Sequence, residues 1–155
     1  MPPETVYVTA HIHTDGPIPG PHSLLTLSSS AHRGDGDLIG TFTANVQELP
    51  GATLHPVSLE QWRKRAEDWL TTRRASRPPA LATIAYLRWI EKLPGRPTLV
   101  TDPVGPEHLF LYWYLHRFAG EWPFARTETE ADLRHRLPRP FCSLSGCRSE
   151  LARSG

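Results

Sequence analysis

The chain has 155 residues, with 17 Lys and Arg against 16 Asp and Glu, a formal net charge of +1. That length fits one domain around a single core and falls short of the roughly 250 residues of an eight-fold β/α barrel. So even a balance offers no basic surface to argue for nucleic acid. No apolar run reaches the roughly 18 residues of a membrane span, and the only cysteines, Cys142 and Cys147, exclude a disulfide scaffold.

Met1 to Glu4 lack the basic-then-apolar pattern of a signal peptide, and so few cysteines fit a reducing compartment, so a cytoplasmic location is expected. The 16 prolines, about twice the usual share, and the use of only two lysines (Lys64, Lys92) fit a GC-rich, bacterial type of genome better than any function. Val6 to His13 is β-branched and alternating, which predicts a strand. Asp15 to Gly20 breaks it, because Pro17 and Pro19 cannot donate to a ladder. His22 to Ser30 and Leu38 to Val46 predict two further strands around a turn at His32 to Asp37, and the short connections make the three antiparallel. Ser58 and Gln61 form a capping box for a helix that would turn Trp62, Ala66, Trp69 and Leu70 inward. A basic linker from Arg73 leads to Pro79, which opens a second helix with Leu81, Ile84, Ala85 and Trp89 as its inward face. That helix stops at Leu93-Pro94-Gly95. Pro97 to Thr101 then reads as a buried parallel strand, and Pro106 opens a third helix carrying Leu109, Phe110, Trp113 and Tyr114. From Gly120 the pattern weakens. Leu137 to Gly155 is a polar, loosely ordered tail, so the domain is expected over residues 1–136, with residues 137–155 outside it.

Three antiparallel strands, a helical pair and a fourth strand entering a helix make an α/β domain with a mixed sheet. The run AHIHTDGPIPG at residues 10–20, followed by Ser23-Leu24-Leu25, resembles the first motif of the DEDDh (DnaQ-like) 3′–5′ exonucleases of the ribonuclease-H-like fold. The branch it looks like carries an Asp-Ile-Glu-x-Asp-Gly-Pro-x-Pro-Gly signature. LVTDPVG at residues 99–105, FLYWYLHRFAG at 110–120 and Pro123-Phe124 agree in order and spacing, so the likeness spans about Val6 to Phe124.

The resemblance implies two divalent ions held on four carboxylates, with a histidine activating the attacking water. Such a metal pair stabilises both the entering and the leaving oxygen of a phosphodiester. In this chain the first two carboxylate positions are His11 and His13, the next is Glu107, and the family's last His and Asp have no counterpart, since no Asp follows His135. The domain is in that sense C-terminally incomplete against the family. Two imidazoles in place of two carboxylates remove about two negative charges from a site meant for four positive ones. The expectation is therefore a degenerate, catalytically impaired exonuclease fold that keeps a nucleic-acid or nucleotide partner. No residue is assigned a catalytic role.

A second reading makes His11, His13 and Glu107 a re-tooled metal site for a phosphodiesterase. Alternate residues of a strand share a face, and imidazole with carboxylate suits Mn²⁺ or Zn²⁺ as well as Mg²⁺. Asp15 and Asp102 are the candidate substrate-binding residues, although each also reads as a turn former. A third reading is a protein-interaction module, with the aromatic third helix as a patch that a homodimer would cover. His-x-His on a first strand also occurs in amidohydrolase barrels, which the length forbids. Trp122 reads as core or as a base-stacking platform, and Arg63, Lys64, Arg65, Arg73, Arg74 and Arg77 as a solvated face or a phosphate contact. Two thiols with four residues between them, Cys142 and Cys147, and no partnering pair give weak support for zinc.

Overall fold

The computed structural model describes residues 4–49, 63–64, 66–102 and 105–136. Its elements in chain order are strands β1 (Thr5–Thr14), β2 (Leu24–His32) and β3 (Leu38–Asn45), helices α1 (Ala66–Arg73) and α2 (Pro79–Glu91), and strand β4 (Arg96–Val100). Helix α3 (Pro106–Tyr114) follows and runs into a π-helical turn at Leu115–Ala119, before strand β5 (Arg126–Glu128) and helix α4 (Glu130–Arg136). The capping box at Ser58, the side chains of Trp62 and Trp69, both cysteines and the tail at 137–155 lie outside the described residues.

Alternation along β1 decides the layering. Val6, Val8 and Ile12 point into the main core, while Tyr7, Thr9, His11 and His13 take the opposite face. β1 pairs antiparallel with β2, setting His11 opposite Ser28, and parallel with β4, setting Thr9 opposite Val100. The five strands lie in the order β3-β2-β1-β4-β5, a mixed sheet of three antiparallel strands continued by parallel ones, as the sequence predicts. β4 is buried on both faces: Leu99 joins the main core, and Val100 meets Leu133 of α4 and Tyr7 on the other side.

The helices depart from the expected phases. Leu70 is 60% exposed and Leu81 59%. The buried line of α2 runs through Ala82, Tyr86 and Ile90, one residue round from the predicted face, with Trp89 only partly covered. Tyr86 goes inward because its hydroxyl lies 2.9 Å from Ser29 Oγ, so the polar tip of a large apolar ring is satisfied. Leu109 is likewise exposed, and α3 is buried through Phe110, Leu111 and Tyr114. No helix among the described residues is long and apolar enough to cross a membrane.

Where β1 and β4 begin, Arg96 N–H donates to the Glu4 carbonyl at 2.7 Å. A Cβ on the preceding Gly95 would fall 2.3 Å from that same oxygen. Gly95→Ala is therefore expected to open the start of the ladder and cost about 1–3 kcal/mol, read as a lowered melting temperature. An unchanged melt would remove this packing argument.

Candidate functional site

β1 leads to β2 on one side, and the chain returns to β4 on the other, so the connections diverge above the C-terminal ends of two adjacent parallel strands. A crevice is expected at such a switch point. A cavity of about 520 Å³ lies there. Thr9, Ala10 and His11 of β1 form one wall, and Val100, Thr101 and Asp102 at the end of β4 form another. Glu107 comes from the first turn of α3, and Thr129, Glu130 and Ala131 from the start of α4.

Local chemistry places each acid. Gly105 is extended at the N-cap of α3, with Pro106 following as the first helical residue, and its N–H donates to the Asp102 carbonyl at 2.9 Å. A Cβ there would lie 3.3 Å from Glu107 Oε2 and 3.2 Å from the Asp102 carbonyl oxygen, so the glycine lets the Glu107 carboxylate fold back over the turn. Glu107 also sits in the first turn, where the helix dipole favours an anion. Thr129 caps α4, its Oγ1 accepting from Asp132 N–H at 3.2 Å, and the fully buried Leu133 pins that helix to the sheet. Together these aim Glu130 into the cavity.

Of the residues singled out from the sequence, His11, Asp102 and Glu107 converge here. His13 lies beyond the lining, with its ring perpendicular to that of His11 at 5.2 Å between centroids. Asp15 is elsewhere. It is 1% exposed, its carboxylate accepts from Ser23 N–H, and its own N–H donates to the Ser23 carbonyl at 3.1 Å. It closes the Pro-rich loop between β1 and β2. Burial raises its pKa, opposed by the Ser23 N–H and by the nearby His22. Gly16 serves the same loop, since a Cβ there would run into the His22 ring. Glu130 was not foreseen; the available signal was the cap pattern Thr129-x-x-Asp132.

Among the described residues no three His, Cys, Asp or Glu side chains group closely enough to hold a metal ion. His11, His13 and Glu107 are thus not grouped as a ligand set, and the described residues by themselves do not supply a carboxylate-held metal pair. Outside the cavity, Arg73 donates to the Leu25 carbonyl at 3.2 Å, bracing α1 against β2, while Arg74 and Arg77 are exposed. Trp122 is half-buried against Phe124, Tyr112 and His116.

Similarity to solved structures decides the architecture. A product-bound structure of exonuclease I matches with a TM-score of 0.62 and 10% identity, over 84% of this chain and 31% of that one. Escherichia coli exonuclease I in complex with a 5cy-dT13 oligonucleotide matches with a TM-score of 0.62 and 9% identity, over 85% and 30%. The zinc-bound form of its complex with single-stranded DNA gives 0.61 and 8%, over 81% and 27%. The fold is shared with the matched part of exonuclease I. At such identities the likeness carries the fold alone, and the chain spans less than a third of those proteins. No protein family and no curated protein matches the chain by sequence.

Proposed function

We propose that this chain is a 3′–5′ exonuclease-like protein with a nucleic-acid-related role, impaired in two-metal hydrolysis. The observation that carries the reading is the make-up of the cavity at the ends of β1 and β4. An imidazole, His11, stands where the family resemblance asks for a carboxylate, and no three ligating side chains are grouped among the described residues. Hard Mg²⁺ takes oxygen ligands in strict geometry, and an imidazole is a poor substitute. Support for a nucleic-acid partner comes from the oligonucleotide complexes of the similar structures.

The test is digestion of end-labelled single-stranded RNA and DNA in Mg²⁺, Mn²⁺ and Zn²⁺, comparing the natural chain with His11→Asp/His13→Glu. The natural chain is expected to leave the label intact, and activity confined to the double variant would identify a decayed exonuclease site. Robust 3′–5′ digestion by the natural chain overturns the reading.

The re-tooled transition-metal site keeps one supporting observation: His11 touches His13 and shares the cavity with Glu107. It requires stoichiometric metal that is lost in His11→Ala/His13→Ala. The interaction-module reading is favoured by the exposed Leu109 and Tyr112 on α3. Filter binding of an oligonucleotide at two salt concentrations separates it from a nucleic-acid binder, whose affinity falls with salt.

A further inference from the structure

The near-neutral charge of the chain hides an uneven distribution. Residues 60–77 carry six Lys and Arg against three Asp and Glu, whereas the remainder carries eleven against thirteen. Within that stretch Arg74 and Arg77 stand on a turn that the end of β3 holds in place. Asn45 Nδ2 donates to the Thr71 carbonyl at 3.0 Å and to the Arg74 carbonyl at 2.7 Å, satisfying the last turn of α1. Arg77 N–H donates to the Asn45 carbonyl at 2.9 Å, and Gln47 N–H to the Arg77 carbonyl at 2.8 Å. Gln47 Nε2 adds a bond to the Ser76 carbonyl at 3.3 Å. Between the two arginines Ala75 has a φ of 50°, a left-handed conformation that a residue with a Cβ keeps only where its surroundings fix it. The turn is thus anchored through its backbone. Arg74 and Arg77 are exposed, and neither side chain makes an ion pair among the described residues. The acids nearby, Glu48 and Asp15, act on Arg73 instead.

Strand register sets this turn at the cavity end of the sheet. β1, β3 and β4 run the same way, since β2 is antiparallel to both β1 and β3, and β4 is parallel to β1. His13 lies opposite Thr26 on β2, and Thr26 lies opposite Asn45 on β3. Cross-strand partners share a face, so this row sits with His11 on the side away from the main core. At roughly 4.8 Å per strand, Asn45 is about 10 Å across from His13. The row between them, His13, Thr26 and Asn45, carries no acid. Guanidinium groups only donate hydrogen bonds and meet phosphate with two parallel bonds. Two of them on an anchored turn lose less freedom on binding than two on a mobile segment. We propose that the Arg74–Arg77 turn binds the phosphodiester backbone of a single-stranded nucleic acid at the cavity end of the sheet. This rests on the nucleic-acid role proposed above and gives it an anchoring point that takes no part in hydrolysis. Backbone contacts position a strand without reading its bases, so DNA and RNA should both bind.

Fluorescence anisotropy of the full chain tests it, with labelled oligothymidylate and oligouridylate of about 20 nucleotides, at KCl from about 0.05 to 0.3 M. Arg74→Gln/Arg77→Gln is expected to weaken binding at least about tenfold at the lowest salt. It should also reduce the slope of log K against log[KCl] by about 1.4, two phosphate contacts at about 0.7 each. Arg74→Lys/Arg77→Lys keeps both charges and should keep the slope. Arg33, in the turn at the other end of β2 and β3, and Arg88 on α2 are also exposed. Arg33→Gln/Arg88→Gln therefore removes the same charge off the turn and should change affinity by less than about twofold. Circular dichroism melts confirm that each variant is folded. If the natural chain binds neither oligonucleotide, this inference and the nucleic-acid role fall together. If it binds and the Arg74→Gln/Arg77→Gln variant binds equally well, or the Arg33→Gln/Arg88→Gln variant loses as much, the turn alone is overturned. Displacement of the oligonucleotide by an equal concentration of poly-glutamate also overturns it, making an acidic peptide the partner.

Discussion

Truncating Tyr86 to Ala is expected to lower the free energy of unfolding by about 3–5 kcal/mol, and Tyr86→Phe by only about 1 kcal/mol. The ring is fully buried and packs on Phe42 at 5.1 Å, Trp89 at 5.8 Å and Phe124 at 6.4 Å between centroids, so its loss leaves a cavity under the sheet. Its hydroxyl ends a short chain. Ser29 Oγ donates to the Thr9 carbonyl at 2.6 Å, so the phenol supplies the proton of the 2.9 Å bond to Ser29. Burial holds the phenol far above its ordinary pKa, which keeps it a neutral donor throughout the working range. In the Phe variant Ser29 keeps its bond to Thr9, and a single net hydrogen bond is lost. Urea unfolding of the two variants measures both losses. Equal losses would show that the hydroxyl chain, and not the ring, stabilises this layer. The consequence reaches the candidate site, because Thr9 lines the cavity from the far side of β1.

The strands were legible because alternation is a local signal: Val6, Val8 and Ile12 had to share a face whatever they packed against. β4 was legible from its brevity and its apolar run. The phase of α2 was not, because an apolar count places Leu81 inside, and only the position of Ser29 on another element explains why Tyr86 takes the core. The same division runs through the candidate site. His11, Asp102 and Glu107 could be read from motif order, and they do line one cavity. Glu130 was not read, since β5 and α4 are 3 and 7 residues long and too short to show a period, which leaves the cap at Thr129 as its signal. Asp15 exposes the limit of residue type as a guide: a carboxylate beside a strand end suggests a ligand, but its burial and its bond to Ser23 belong to the loop.

That burial makes the sign of a pH effect at Asp15 definite. Its folded pKa lies above the ordinary 3.8, with desolvation the largest cause. The folded chain therefore holds this proton at pH values where the unfolded chain has released it. The contribution of Asp15 is most favourable below 3.8 and falls as pH rises through the raised folded value, above which an ionised, buried carboxylate remains as a fixed cost. Asp15→Asn keeps an oxygen to accept from Ser23 N–H and cannot ionise, so it should be at least as stable as the natural chain at neutral pH. Asp15→Ala leaves the Ser23 N–H buried without its acceptor and should lose about 1–3 kcal/mol. His32 complicates the raw profile with the opposite slope: burial lowers its pKa, so its contribution is lost as pH falls from 6.5. That slope is common to all three chains and cancels in the differences between them. Urea titrations at intervals from about pH 4 to 8 give those differences directly. The Asn-minus-natural difference should grow with pH, while the Ala loss against Asn should stay flat. If Asn loses as much as Ala at pH 7, the carboxylate charge itself holds the loop, through His22 and Arg73, and the raised pKa is the wrong sign.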